Sequence, residues 1–148
     1  MKEGGLTIRI MALDVGDRRI GVAISDPTET LARPLTVIPA HQSDLARIAQ
    51  LVQEHGAERV IVGYPRSLSG GSFGQAKRIE AYAARLSTVL EVPISLWDER
   101  FSTTIAERLM KEAGKGGRER RERGDAVAAA VILQDFLDAR KRLKEQTE

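Results

Sequence analysis

The sequence predicts an α/β fold in which helices cover both faces of a mixed five-stranded sheet. An apolar run over residues 8–16 is followed, after a short turn, by a second run over residues 20–26, which is typical of a β-hairpin. Further along, strand-like runs alternate with helical ones, which is typical of parallel strands joined by crossovers. Because 148 residues suit one domain, we expect a single domain over 1–148 with frayed tails at 1–6 and 139–148.

Three further elements follow the hairpin. Residues 33–39 predict a third strand with a proline near each end, as at a sheet edge or a strand end. Ser43 and Asp44 offer an N-cap to an amphipathic helix that Gly56 should end. The β-branched run over residues 58–65 predicts a strand buried on both faces.

The second half predicts one more strand and three helices. A helix is expected around residues 79–90 and a strand over 92–97, and Ser and Thr can cap a helix over 102–110. A basic, glycine-punctuated loop over 114–124 then precedes a last helix that starts near Asp125. The predicted order is therefore β-β-β-α-β-α-β-α-α.

Positive charge is concentrated in that basic loop. The whole chain carries 23 Lys and Arg against 21 Asp and Glu, a formal charge of +2. The stretch from Lys115 to Arg123 contains five cations and two anions, which gives a local charge of +3. Such a run favours phosphate binding, although a solvated surface has the same composition.

Cysteine is absent from the sequence. This excludes disulfides, a thiolate nucleophile and a cysteine-ligated zinc site, and favours a reducing cytoplasm. No run approaches the length of a membrane span and none has the pattern of a signal peptide, so we expect no membrane association.

Three carboxylates from distant segments are expected to converge on one edge of the sheet. Asp14 ends the first strand, Glu99 follows the fifth, and Asp125 should turn toward the sheet from the last helix. Clustered carboxylate oxygens suit Mg²⁺ or Mn²⁺. The pattern therefore predicts a metal-assisted phosphodiesterase site.

Each of these acids has an alternative role. Asp14 could be a turn residue, and Asp98 rather than Glu99 could face inward, because alternation alone does not say which face is functional. Asp125 follows a glycine and could be a helix N-cap.

Four separated motifs resemble those of the YqgF/RuvX family, in the same order and over about residues 8 to 137. The resemblance implies a ribonuclease-H-like fold and a cytoplasmic nuclease that processes the 5′ end of pre-16S rRNA. Cleavage of four-way DNA junctions, by analogy with RuvC resolvases, is the alternative. The motifs are Met11–Gly16 with Arg19–Ala23, Val62–Pro65, Asp98–Thr103 and Asp125–Ala129.

The family's acidic positions fall on Asp14, Glu99 and Asp125, which the resemblance implies to be catalytic and to bind metal. RuvC-type and ribonuclease-H-type enzymes carry a glutamate near a middle strand or helix, but Val62–Pro65 has none. Glu99 must therefore supply the third carboxylate from a different strand.

Nucleic acid is the expected partner of a monomer or homodimer. A non-catalytic RNA-binding factor in ribosome assembly is a further alternative, whereas an actin-like ATPase needs two lobes that 148 residues cannot build. The sequence does not choose between RNA and junction DNA, or between Mg²⁺ and Mn²⁺. The cations expected to contact the nucleic-acid backbone are Arg19, Arg100, Lys115, Arg118, Arg120 and Arg121.

Overall fold

The structure, a computed structural model, describes residues 9–41, 43–64, 72–98 and 118–147. This part of the chain forms five strands and three helices. In chain order they are β1 (Arg9–Val15), β2 (Arg19–Ser25), β3 (Ala32–Pro39), α1 (Asp44–His55), β4 (Ala57–Tyr64), α2 (Ser72–Ser87), β5 (Ile94–Asp98) and α3 (Arg118–Thr147).

The strands form one mixed sheet in the order β3-β2-β1-β4-β5. β1, β2 and β3 are antiparallel neighbours, whereas β4 is parallel to β1 and β5 is parallel to β4. This arrangement confirms the predicted fold class, because short turns join antiparallel strands and helical crossovers join parallel ones.

A tight turn joins β1 to β2. The Gly16 N–H donates to the carbonyl of Arg19 at 2.9 Å, and a methyl group on Gly16 would lie only 2.9 Å from that same oxygen. The turn therefore depends on glycine, and it holds the end of β1 beside the start of β2.

One face of the sheet packs against α1 and α2. Met11 and Leu13 of β1 point to this side, where they join Ile48 of α1 and Leu86 of α2 in the larger buried cluster. α1 ends as predicted at Gly56, whose φ of 64° is the left-handed conformation typical of helix C-termini.

The opposite face packs against α3. Ile10 and Ala12 of β1 point to this side and join Leu133 and Phe136 of the helix. The side chains of β1 thus alternate between the two helical layers, as expected for a strand buried on both faces.

The start of α3 differs from the prediction. The helix begins at Arg118 rather than near Asp125, so residues 118–124 are helical and not loop. These residues lack an apolar period, but Arg and Glu favour helices and can pair with neighbours three or four residues away. The helix continues to Thr147, through most of the segment predicted to fray.

The helix predicted over residues 102–110 lies outside the described residues. Within the described ranges, no helix has both the length and the apolar character needed to cross a lipid bilayer.

Candidate active site

Asp14 lies near the end of β1 on the face covered by α3. Ile10 and Ala12 pack against that helix, and Asp14 follows them with the same alternation along the strand. The residue is half-buried, and its partner across the β1–β2 ladder is Gly21. A carboxylate at this position is thus presented toward α3.

α3 contacts the sheet closely at Gly21. A methyl group on Gly21 would lie 2.0 Å from the carbonyl oxygen of Asp125 and 2.5 Å from its carbonyl carbon. Because no side chain fits in that space, the helix backbone lies directly on β2. Asp125 is therefore held beside the strand pair that carries Asp14.

An ion pair joins the side chain of Asp125 to β2. Arg19 Nε donates to Asp125 Oδ2 at 2.5 Å, across 106 residues of sequence. The two side chains are 33% and 23% exposed, so the pair is only partly screened by water. Arg19, expected to contact nucleic acid, therefore neutralises one of the predicted site acids.

Asp125 is not a helix N-cap. It lies seven residues after Arg118, inside a continuous helix, whereas an N-cap residue flanks the first turn. The capping alternative was therefore wrong, and its reason was the misplaced helix start.

Trp97 shows which face of the sheet Asp98, the last residue of β5, takes. Trp97 points to the α3 face, where its Nε1–H donates to Asp135 Oδ2 at 2.8 Å. Its ring packs edge-to-face against the ring of Phe136, with 5.2 Å between the two ring centroids. Asp98 therefore takes the opposite face by alternation. It does not share a face with Asp14.

The environment of Tyr64 agrees with this position of Asp98. Tyr64 packs with the α1 and α2 cluster, and its hydroxyl donates to Glu80 Oε2 at 2.5 Å. This hydrogen bond, followed by burial and by the negative charges of Glu80 and Asp98, raises the pKa of Tyr64. Asp98 thus contributes to the electrostatics of the α2 side.

Several predicted site residues lie outside this picture. Glu99, Arg100 and Lys115 are outside the described residues. For Arg118, Arg120 and Arg121 the structure describes the helical backbone but not the side chains. Their contacts with nucleic acid remain predictions.

The carboxylates in the described ranges form only part of the predicted metal site. Those ranges hold no cluster of three or more acidic or histidine side chains that could bind a metal ion. The structure brings Asp14 and Asp125 to one face, and Glu99 falls in a gap between the ranges. Two half-buried carboxylates still fit the oxygen preference of Mg²⁺ or Mn²⁺.

Sequence reasoning gave no individual role to Gly21. The available signal was a glycine inside a strand, which often marks close approach of another backbone. Asp44 was interpreted only as a helix-start residue, yet it is just 5% exposed. Nothing in the local sequence distinguishes a buried acid at a helix start from an exposed one.

The order and directions of the five strands define a protein with a ribonuclease-H-like fold. The chain is similar to T. thermophilus RuvC solved with a Holliday junction substrate, with a TM-score of 0.56, 15% identity and coverage of 90% of this chain and 96% of that chain. It also resembles the fowlpox virus Holliday junction resolvase, with a TM-score of 0.50, 10% identity and coverage of 89% and 99%.

Sequence similarity is much higher within one family. A family model described as "RuvX: Holliday junction resolvase" matches residues 8–139. A "Putative pre-16S rRNA nuclease" of Chloroflexus aggregans is 46% identical over 134 residues, 89% of this chain and 94% of the relative. A protein of the same name from Pelotomaculum thermopropionicum is 41% identical over 142 residues, 94% of this chain and 92% of the relative. The chain belongs to the RuvX family.

Proposed function

We propose that this RuvX-family chain, a hydrolase acting on nucleic acid, cuts phosphodiester bonds with Mg²⁺ or Mn²⁺ held by Asp14, Glu99 and Asp125. The supporting observation is the contact of α3 with Gly21, which sets Asp125 beside the strand pair bearing Asp14. Bound divalent ions would stabilise charge on the attacking and leaving oxygens of the phosphodiester.

The protein's own residues have separate tasks in this proposal. Asp14 supplies negative charge that attracts cations to a half-buried edge of the sheet, and Asp125 supplies a second carboxylate there. Arg19 balances Asp125 in the free chain and presents a guanidinium at the same place. A phosphate entering the site can then accept hydrogen bonds from Arg19, since guanidinium groups bind phosphate oxygens strongly.

The substrate we propose is the precursor of 16S rRNA. Relatives that align with nine-tenths of the chain carry that activity in their names. Arg118 and Arg121 precede Asp125 by seven and four residues, the spacing of one helix face, which favours backbone contacts leading toward the site. The same proposal assigns the chain to the cytoplasm, in agreement with its lack of cysteine.

Cleavage of four-way DNA junctions is the second candidate. It is supported by the description of the matching family as a Holliday junction resolvase. A side-by-side assay of pre-rRNA and a four-way junction, each with and without metal, decides between the two substrates. Binding of RNA without cleavage under any metal condition would instead indicate an assembly factor.

Asp14→Asn tests the site itself. The amide keeps the shape of the carboxylate but loses its charge, so we expect cleavage to fall to background while the thermal midpoint and nucleic-acid binding stay close to wild type. The matched control is Asp98→Asn, at the same sheet edge but on the opposite face, which should keep its activity. Full activity in the Asp14→Asn protein would contradict the proposed site.

A further inference from the structure

A cavity of about 460 Å³ lies on the other face of the sheet, next to the β1–β2 turn. It is bordered by the turn, by the first residue of α1 and by one side of α2, and it is separate from the edge where Asp125 contacts Gly21. The volume is within the range of small-molecule sites. Its lining includes Val15, Gly16, Asp44, Arg78, Tyr82 and Arg85.

Two polar groups in this lining have unused hydrogen-bonding capacity. Asp44 is 5% exposed and Tyr82 is 7% exposed, and neither Asp44 Oδ1 nor the Tyr82 hydroxyl meets a hydrogen-bond partner within the described part of the chain. Buried polar groups are nearly always paired, because leaving one unsatisfied is costly. A ligand that enters the cavity would find an acceptor and a donor beside each other.

The protonation of Tyr82 fixes which group donates. Burial, followed by the negative charge of Asp44, raises the pKa of the Tyr82 hydroxyl. Tyr82 therefore keeps its proton at neutral pH and can donate it. The carboxylate oxygens of Asp44 are the acceptors beside it.

Two arginines lie at the rim of the cavity, together with Asp17. The Arg85 guanidinium lies 5.4 Å from the centre of the Tyr82 ring, and Arg78 forms an ion pair with Asp17 of the turn. Both arginines project from α2 into largely exposed positions suited to an anionic group. The complementary ligand has N–H donors and a carbonyl on one edge and a phosphate at the other end.

We propose that this cavity binds an unpaired guanine nucleotide of the substrate strand, with the base edge on Asp44 and Tyr82 and the phosphate on Arg78 and Arg85. Guanine presents two adjacent N–H donors, N1–H and N2–H, next to the O6 acceptor. Adenine and cytosine place a ring-nitrogen acceptor beside their amino group, and uracil flanks its N–H with two carbonyls. Those acceptors repel a carboxylate.

The location of the cavity connects it to the proposed cleavage. Val15 and Gly16 in its lining directly follow Asp14 in the chain, so the cavity and the candidate active site lie on either side of one tight turn. This inference rests on the proposed function for the identity of the strand. A free guanine nucleotide has the same chemistry and is the other source of the ligand.

Calorimetry on the full chain with 5′-mononucleotides is the first test. We expect GMP to bind more tightly than AMP, and roughly ten- to a hundredfold more tightly than IMP, which lacks the N2 donor to the charged Asp44. Asp44→Asn should weaken GMP binding and strengthen binding of xanthosine monophosphate, because the new amide can donate to a carbonyl at C2. A purely structural Asp44 would not reverse this preference.

The control variant is Glu54→Gln, a charge-neutralising change at a half-exposed position of α1, which should leave nucleotide preference unchanged. Two further arms separate the sources and the hypotheses. If the ligand is a guanine of the substrate strand, replacing one unpaired guanosine of a substrate oligonucleotide with inosine should weaken binding of the oligonucleotide. If the ligand is a free nucleotide, this replacement should have no effect, and only free GMP should bind in the cavity. Asp14→Asn should bind GMP normally, which separates this inference from the cleavage proposal.

Equal binding of GMP and AMP would overturn the proposal. So would an Asp44→Asn protein that still prefers GMP to xanthosine monophosphate. Absence of nucleotide binding at millimolar concentration, together with no effect of inosine, would indicate instead that a buried water bridges Asp44 and Tyr82.

Discussion

At the scale of single residues, Gly21 determines whether two distant acids can share one face. It has no side chain, and the carbonyl of Asp125 occupies the space where one would be. The position is therefore sensitive to the smallest possible addition. A methyl group there must push the backbone of α3 away from β2, because neither backbone can give way as a flexible side chain would.

We expect Gly21→Ala to destabilise the fold by about 1 to 3 kcal/mol, the usual cost of overpacking a tight contact. Cleavage should fall by more than this loss of stability explains, because the shift separates Asp125 from Asp14. The measurements are the urea midpoint and the cleavage rate at a temperature where the variant remains folded.

Gly74→Ala is the matched control for this change. Gly74 lies in α2, and a methyl group there meets nothing within 4 Å among the described residues. Alanine should raise helix stability by up to about 1 kcal/mol and leave cleavage unchanged. Equal effects of the two substitutions would contradict the role given to Gly21.

Residue-level prediction from sequence succeeded where a local pattern carried the information. Alternation along β5 places Trp97 and Asp98 on opposite faces, but only the contact of Trp97 with Asp135 shows that Trp97 is the one that faces α3. The burial of Asp44 depends on α2, a distant segment packed over it. No local pattern reports such tertiary burial.

At the scale of elements, α3 differs most from its prediction. Its apolar residues between Ala129 and Phe136 pack on the sheet, as a last helix of the predicted fold should. The first two turns were predicted as loop because they are all charged apart from Gly124. That glycine is buried inside the helix, so it does not mark the boundary between loop and helix that the sequence suggested.

Neutralising the start of α3 tests whether it binds nucleic acid. Replacing Arg118, Arg120 and Arg121 with Gln should weaken binding and flatten its dependence on salt. Each lost phosphate contact should reduce the slope of log K against log salt by about 0.7 to 0.9. Fluorescence anisotropy of a labelled substrate over a salt series measures both quantities.

The opposite end of the same helix provides the control. Replacing Lys141, Arg142 and Lys144 with Gln removes the same charge from α3 far from Asp125. If both triple variants lose the same slope, binding depends on net charge alone. If the first variant keeps the wild-type slope, residues 118–121 are a solvated surface.

At the scale of the whole molecule, the order of the strands was predictable from the sequence, but the contacts made by the site residues were not. Short turns and helical crossovers fix which strands are neighbours, and these can be counted from the sequence. That topology also placed Asp14 and the last helix on the same face of the sheet. The ion pair of Asp125 with Arg19 did not, because it depends on how α3 sits along β2.

Metal binding should appear as a gain in global stability. A ligand that binds only the folded state adds about 2.7 kcal/mol at a concentration of 100 times its Kd. We therefore expect Mg²⁺ or Mn²⁺ to raise the thermal midpoint of the wild type, and a chelator to reverse the gain.

Asp14→Asn should lose most of this response, and Asp98→Asn should keep it. An equal metal-dependent gain in the Asp14→Asn protein would show that the ions bind elsewhere. The single tryptophan, Trp97, lies against α3 and offers a fluorescence signal for the transition.

The ion pair between Arg19 and Asp125 also has a consequence for the order of synthesis. When the five strands have been synthesised, the nascent chain contains Asp14 and Arg19. The helix that carries Asp125 has still to be made. Until that helix has been made, the candidate active site lacks Asp125 and the helix that covers it. The proposed nuclease therefore has an incomplete site during the part of its synthesis that precedes α3.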